Sequence, residues 1–174
     1  MSKLFSANVL VNAALFQIVW LCCVIGSSYG LTWPAAFSFL ALAVWQLAPA
    51  RRAQSDLRLL AVALVLGIIV DSLWVQLGFL DFKTNGPISG FAPLWILFLW
   101  LGFALTVNHS LAWLKLHPLL PSAMGLIGGP LSYYAGLRLG AVEYLIDHLL
   151  ISASLGIAWA LTMIILVKLG DRPE

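Results

Sequence analysis

Apolar stretches about as long as a helix that crosses a bilayer, roughly 20 residues, recur six times along the chain, and few folds accommodate that pattern. They run over Val9–Tyr29, Leu31–Ala50, Leu59–Leu80, Pro93–Leu114, Leu119–Leu137 and Ala141–Val167. Short turns separate them, among them Ser27-Ser28-Tyr29-Gly30 and the loop Asp81-Phe82-Lys83-Thr84-Asn85-Gly86-Pro87. Hydrocarbon offers backbone amides no partner, so each stretch is expected to be helical. The charge count agrees. Nine Lys and Arg with seven Asp and Glu in 174 residues, at a mean hydropathy of +1.00, fall far below the roughly 25% charged residues of an ordinary globular chain. The expected fold class is an all-α integral membrane protein, a single domain over residues 1–174 built as a bundle of six transmembrane helices.

The first stretch follows Lys3 and could be confused with a signal peptide. It is too long for a signal core, carries Asn12 and Gln17, and precedes no A-x-A-like cleavage site. It is expected to remain as the first helix. With both termini on one side, Lys3, Arg51, Arg52, Arg58, Lys115, Lys168 and Arg172 fall together, and Lys83 and Arg138 lie opposite. The positive-inside rule then places both termini in the cytoplasm.

Ionisable groups at bilayer depth cost roughly 2.5 to 3.5 kcal/mol on insertion scales, which makes each a functional candidate. Asp71 in the third stretch, and Glu143, Asp147 and His148 early in the sixth with Arg138 just before it, are the candidate catalytic residues. At about 1.5 Å of rise per residue, Asp71 and Asp147 come to one level below the outer boundary. Asp71 is therefore expected to meet Asp147 and His148, with Arg138 as counter-ion. Within a sixth helix, Glu143 and Asp147 would share a face, and two carboxylates there would need a proton or a cation between them. The competing reading starts that helix near Leu149 and leaves these groups in a wet loop. A second tier, near the inner boundary, holds the candidate binding residues Asn12, Asn108 and His109, which also suit interhelical hydrogen bonding. In the fifth stretch, Gly125 and Gly129 form a small-xxx-small pair for close helix approach, and Pro130 withholds a backbone donor.

Several chemistries have no support. Walker, G-x-S-x-G, G-x-G-x-x-G and H-E-x-x-H motifs are absent from the sequence. The adjacent Cys22 and Cys23 make neither a disulfide framework nor a zinc site. No metal site is expected, no motif names a cofactor, and no basic, aromatic-interleaved patch argues for nucleic acid.

The segments Leu94-Trp95-Ile96-Leu97-Phe98-Leu99-Trp100, Asn108-His109-Ser110-Leu111-Ala112-Trp113-Leu114 and Gly129-Pro130-Leu131-Ser132-Tyr133-Tyr134-Ala135-Gly136, followed by Arg138-Leu139-Gly140-Ala141, resemble a family of small bacterial inner-membrane proteins of unknown function over nearly the whole chain. The resemblance implies a multi-pass protein of the bacterial inner (cytoplasmic) membrane and a link to lipid-modifying enzymes of the cyclopropane-fatty-acid-synthase type. It carries no catalytic residues, but its motifs coincide with Asn108, His109 and Arg138. Three functions stand open in this order: a catalytic or accessory role in membrane-lipid modification, a small proton-coupled transporter, and a non-catalytic membrane scaffold. The expected partners are membrane lipids, a second copy of the chain, or a membrane enzyme.

Overall fold

A computed structural model describes residues 6–84 and 86–171. Lys3, Arg172 and Asn85, used above in the charge and turn arguments, lie outside the described residues. Six α-helices run through the described chain: α1 (Ala7–Ser28), α2 (Trp33–Gln46), α3 (Asp56–Gln76), α4 (Leu94–Ala104), α5 (Leu120–Arg138) and α6 (His148–Leu169). Three of them, α1, α3 and α6, with 22, 21 and 22 residues, are long and apolar enough to cross a membrane, whereas α2 and α4 are apolar but shorter. Large apolar side chains such as Phe37, Val44, Ile69, Leu131 and Leu149 face outward, the distribution expected of a protein whose surroundings are as apolar as its interior.

The sequence reading is corrected in three places. The fourth helix does not reach Leu114. It ends at Ala104, and turns lead from there to a short 3-10 helix over Ala112–Leu116. Asn108 and His109 thus sit in a partly buried turn segment rather than on a helix. The sixth helix starts at His148, not Ala141, because the Asp147 carboxylate accepts from the backbone N–H groups of Leu149 and Leu150 and caps it there. Glu143 and Asp147 therefore share no helix face. The fold is also not purely helical: β1 (Leu80–Phe82) and β2 (Val142–Tyr144) pair antiparallel, with Leu80 opposite Tyr144 and Asp81 opposite Glu143.

Both strands are reached in the same way. After α3, Gly78 takes φ +66° and Phe79 N–H donates back to Trp74 O; after α5, Gly140 takes φ +76° and Ala141 N–H donates back to Gly136 O. This is a helix stop that needs the left-handed conformation, which glycine adopts without steric cost. Each strand then alternates buried, exposed, buried. The ribbon closes one end of the bundle with Leu80, Phe82, Val142 and Tyr144 turned inward.

The most extensive helix contact is between α5 and α6, and glycines permit it. A β-carbon at Gly125 would stand 2.3 Å from the Trp159 carbonyl oxygen, and one at Gly129 2.5 Å from the Trp159 ring. From the other side, a β-carbon at Gly156 would stand 2.8 Å from Leu126 O, the carbonyl whose usual helical donor Pro130 lacks. Gly128, one residue from Gly129, has no such neighbour within 4 Å. Gly125→Ala is expected to destabilise the protein by about 3 kcal/mol, the upper part of the overpacking range, and Gly128→Ala to be neutral, as read by thermal unfolding in detergent. Equal stability of the two variants would contradict the close α5–α6 contact.

Candidate functional site

Asp71 is fully buried on α3 and its carboxylate has two donors. Trp100 Nε1 on α4 donates to Oδ2 at 2.6 Å, and the Tyr133 hydroxyl on α5 donates to Oδ1. Glycines one helical turn earlier make room for this. A β-carbon at Gly67 would meet the Trp100 ring at 2.7 Å, so the bare backbone lets that indole lie against α3 and reach Asp71. Gly129 clears space for Trp159 in the same way, one turn before Tyr133. The two indoles stack on each other, with ring centroids 4.7 Å apart and planes at 20°. Residues 67 and 71, and likewise 129 and 133, are neighbours on their helices by the i, i+4 rule. One glycine, one polar residue and one indole are therefore supplied from each side.

Tyr133 and Trp100 separate Asp71 from a cavity of about 380 Å³. The volume falls within the roughly 300–1,000 Å³ of small-molecule sites. Its wall comes from α1 (Phe16, Gln17, Trp20, Val24), α4, α5 and α6, with Phe82 and Val142 of the ribbon at one end. Along α5 it extends from Met124 to Gly136, about 18 Å at the helical rise. Trp20 Nε1 donates to Ser132 Oγ across it at 2.9 Å. Gln17, Met124, Gly128 and Leu131 line the cavity and are themselves exposed, so it opens sideways between α1 and α5, onto the apolar outer surface.

At the opposite end of the bundle a second polar group is assembled. Asp56, fully buried at the start of α3, accepts from Asn108 Nδ2 at 2.8 Å and Ala53 N at 2.9 Å, and pairs with His109 Nε2 at 3.0 Å. His109 Nδ1 lies 3.2 Å from Gln46 Nε2, and Gln46 Oε1 accepts from Asn12 Nδ2 at 2.8 Å. The tautomer with hydrogen on Nε2 satisfies both ring nitrogens at once. Asn12 also donates to Leu105 O and accepts from Ser110 N and Oγ. It thus supplies the bonds the backbone loses where α4 stops. Lys115 Nζ donates to Asn108 Oδ1 and to Asp171 O. Burial pulls the Lys115 ammonium below its usual range, against the opposing pull of Asp171 and Asp56. Asn12, Asn108 and His109 are therefore brought together through Gln46 and Asp56, but their polar atoms are spent on those side chains, on Ser55, Ser110 and Lys115, and on the backbone.

The other candidates lie apart from both groups. Asp71 does not take Arg138 as a counter-ion: among the described residues the ion pair is His109 with Asp56. Arg138 is exposed at the end of α5, five residues beyond Tyr133, which fills the place beside Asp71. Glu143 is exposed on the ribbon, Asp147 is exposed and engaged as a helix cap, and exposed His148 packs edge-to-face on Tyr144 at 5.3 Å. No group of three or more metal-ligating side chains occurs among the described residues. Sequence reasoning passed over Tyr133, Trp100, Gln46 and Asp56. The spacing Gly67-x-x-x-Asp71 beside Gly129-x-x-x-Tyr133 was the available signal for the first two.

The chain belongs to the DUF2878 family, proteins of unknown function, which it matches over residues 9–165. That span takes in Asp71 with its two donors and all of the second polar group except Asp171. No curated protein and no solved structure matches the chain.

Asp56→Ala removes the acceptor of three groups at once and is expected to cost about 3 to 5 kcal/mol, the range for a broken buried pair. His148→Ala, at an exposed position, should stay within about 0.5 kcal/mol. Thermal unfolding of the two variants beside the parent checks this, and a silent Asp56→Ala would show that the network carries no stability.

Proposed function

Starting from membership of a family without an assigned activity, we propose that the protein is a multi-pass protein of the bacterial inner membrane that takes an acyl chain of a membrane lipid into the cavity beside Asp71, in support of lipid modification. The observation that carries this reading is the sideways opening of an apolar cavity between α1 and α5. A soluble substrate would need a mouth toward water. A lipid tail enters through the side of a bundle, and the rim of Gln17, Met124, Gly128 and Leu131 is exposed there.

We further propose that all six helices sit in the bilayer, with both termini in the cytoplasm. Arg51, Arg52, Arg58, Lys115 and Lys168 gather at the end opposite the ribbon, and Lys83 and Arg138 lie at the ribbon end, a bias that supports this orientation. The short α4 is compatible with a spanning segment, since the turns that follow it are enclosed by protein and bonded by Asn12, the condition under which irregular backbone is tolerated at depth. The site fits an accessory or binding role better than nucleophilic catalysis. Among the described residues, Ser132 and Tyr133 are the hydroxyls on the cavity wall, and neither has a histidine partner.

A cavity-filling change separates this role from a general effect on folding. Gly128 lines the cavity and has nothing within 4 Å of a β-carbon, so Gly128→Trp is expected to plug it without striking α6. Deletion of the gene should shift the acyl composition of the membrane lipids. Wild-type protein should restore it, and Gly128→Trp at equal membrane levels should not. An unchanged lipid profile in the deletion strain, or full rescue by the plugged variant, would contradict the proposal.

A further inference from the structure

A cavity that is open along its flank and closed at one end can measure what enters it. Resting on the acyl-chain reading of the cavity, we propose that its ribbon end is a blind stop: the methyl end of the chain seats against the cross-strand pair Phe82 and Val142, and the protein thereby selects acyl chains by length.

The hydrogen bond from Trp20 to Ser132 holds α1 and α5 at one level, and both helices end at the ribbon, α5 leading into β2 and Ser27 of α1 bonding Thr84 just after β1. About one turn back from that bond, Gln17 and Gly128 are exposed and form the mouth. One turn beyond it, about 6 Å further along at the helical rise, Val24 and Gly136 are buried. Phe82, Trp95 and Val142, which line the same end, are 4%, 3% and 5% exposed. Bilayer lipid thus reaches the flank of the cavity and not its ribbon end.

A stop that measures length must not yield. Phe82 and Val142 stand opposite each other in the ribbon register, both turned inward. At the two ends of this ladder Lys83 N donates to Ala141 O and Leu145 N to Phe79 O, each at 3.0 Å. Thr84 Oγ1 donates to Ser27 O at 2.9 Å and ties the ribbon to the end of α1. Phe82 meets the Trp95 ring edge-to-face at 5.5 Å. Val142 lies against bare backbone on α5, where a β-carbon at Gly136 would stand 3.3 Å from its Cγ1 and meet nothing else within 4 Å.

Length matters even inside a bilayer. A methylene gains little by leaving lipid for an apolar wall, since the two are equally apolar, so fit decides. A chain too short leaves a void beside Phe82 and Val142, and one too long presses on the stop; both cost free energy. About 380 Å³ drawn out over about 18 Å of α5 holds one extended chain. Its head stays on the mouth side, in the leaflet away from the ribbon, because a chain running the other way would leave the enclosed end empty.

The test uses the full chain in nanodiscs and a homologous series of 1-O-alkyl glycerol ethers at equal mole fraction in the bilayer. Affinities come from displacement of a fluorescent alkyl reporter. The expected result is a single best length, with affinity falling about fivefold for each methylene-sized mismatch on either side. Val142→Ala should move the best length to longer chains. Gly136→Ala, which adds a carbon in front of Val142, should move it to shorter ones, and either shift alone carries the result if the other variant does not fold. Affinity that stays level or only rises with length, or a best length that both variants leave in place, would overturn the stop and leave the acyl-chain reading standing. Displacement by no member of the series would overturn both.

Discussion

A polar group enclosed among these helices has no water to turn to, and the need to satisfy each one inside the protein determines where the helices stop. Asn12 bonds Leu105 O and Ser110 N where α4 ends, Gln46 bonds Arg51 O where α2 ends, and Asp56 bonds Ala53 N where α3 begins. These residues also bond one another or His109. The backbone groups left over at three helix ends are thus satisfied by one connected set of side chains. Two apolar helices can then be shorter than a membrane-crossing length without exposing backbone to hydrocarbon. Asn12 and Asp56 are fully buried for the same reason.

The other half of the bundle obeys the opposite rule, in which close packing rather than hydrogen bonding fixes geometry. Trp100 and Trp159 are large and flat, and each needs a bare stretch of backbone, at Gly67 on one side and at Gly125 and Gly129 on the other. Their stacking holds α3, α4, α5 and α6 at fixed separations, and the single buried acid of this region is bonded by the side chains that this spacing delivers. The space left beside the stack is the cavity. Its shape follows from small residues on α5, with Gly125, Gly128, Gly129, Ala135 and Gly136 along its length. Gly125 and Gly129 allow α5 to press on α6, and Gly128, one turn before the Ser132 that Trp20 of α1 bonds, leaves a groove toward α1.

Much of this architecture was legible in the sequence, and the parts that were not have physical reasons. The apolar stretches mark six helices, and Gly125 and Gly129 announce a close approach on α5. The end of α4 and the Ala141 start of α6 were misplaced, while the competing start near Leu149 lies one residue from the observed one, because a hydropathy window cannot distinguish an apolar helix from an apolar turn held by distant side chains, or a strand from a helix start. Leu80-Asp81-Phe82 and Val142-Glu143-Tyr144 do alternate with a period of two, but three residues are too few for the signal to stand out. Asp71 was visible as a charge in an apolar run. Its partners were not, since Tyr133 and Trp100 read as ordinary aromatics until the fold brings them to it. Asp56 precedes the third apolar stretch and so reads as part of a loop, although it is wholly enclosed.

The central claim, that the cavity between α1 and α5 holds an acyl chain, is tested most directly by photo-crosslinking in membranes. A lipid with a diazirine in its acyl tail, activated in cells and followed by peptide mapping, should place its adducts on Trp20, Met124 and Leu131. The outward residues Val65 and Ile69 of α3, which would meet bulk lipid alone, should carry few. Adducts spread evenly over α3 and α5, with no concentration along the cavity wall, would contradict the account.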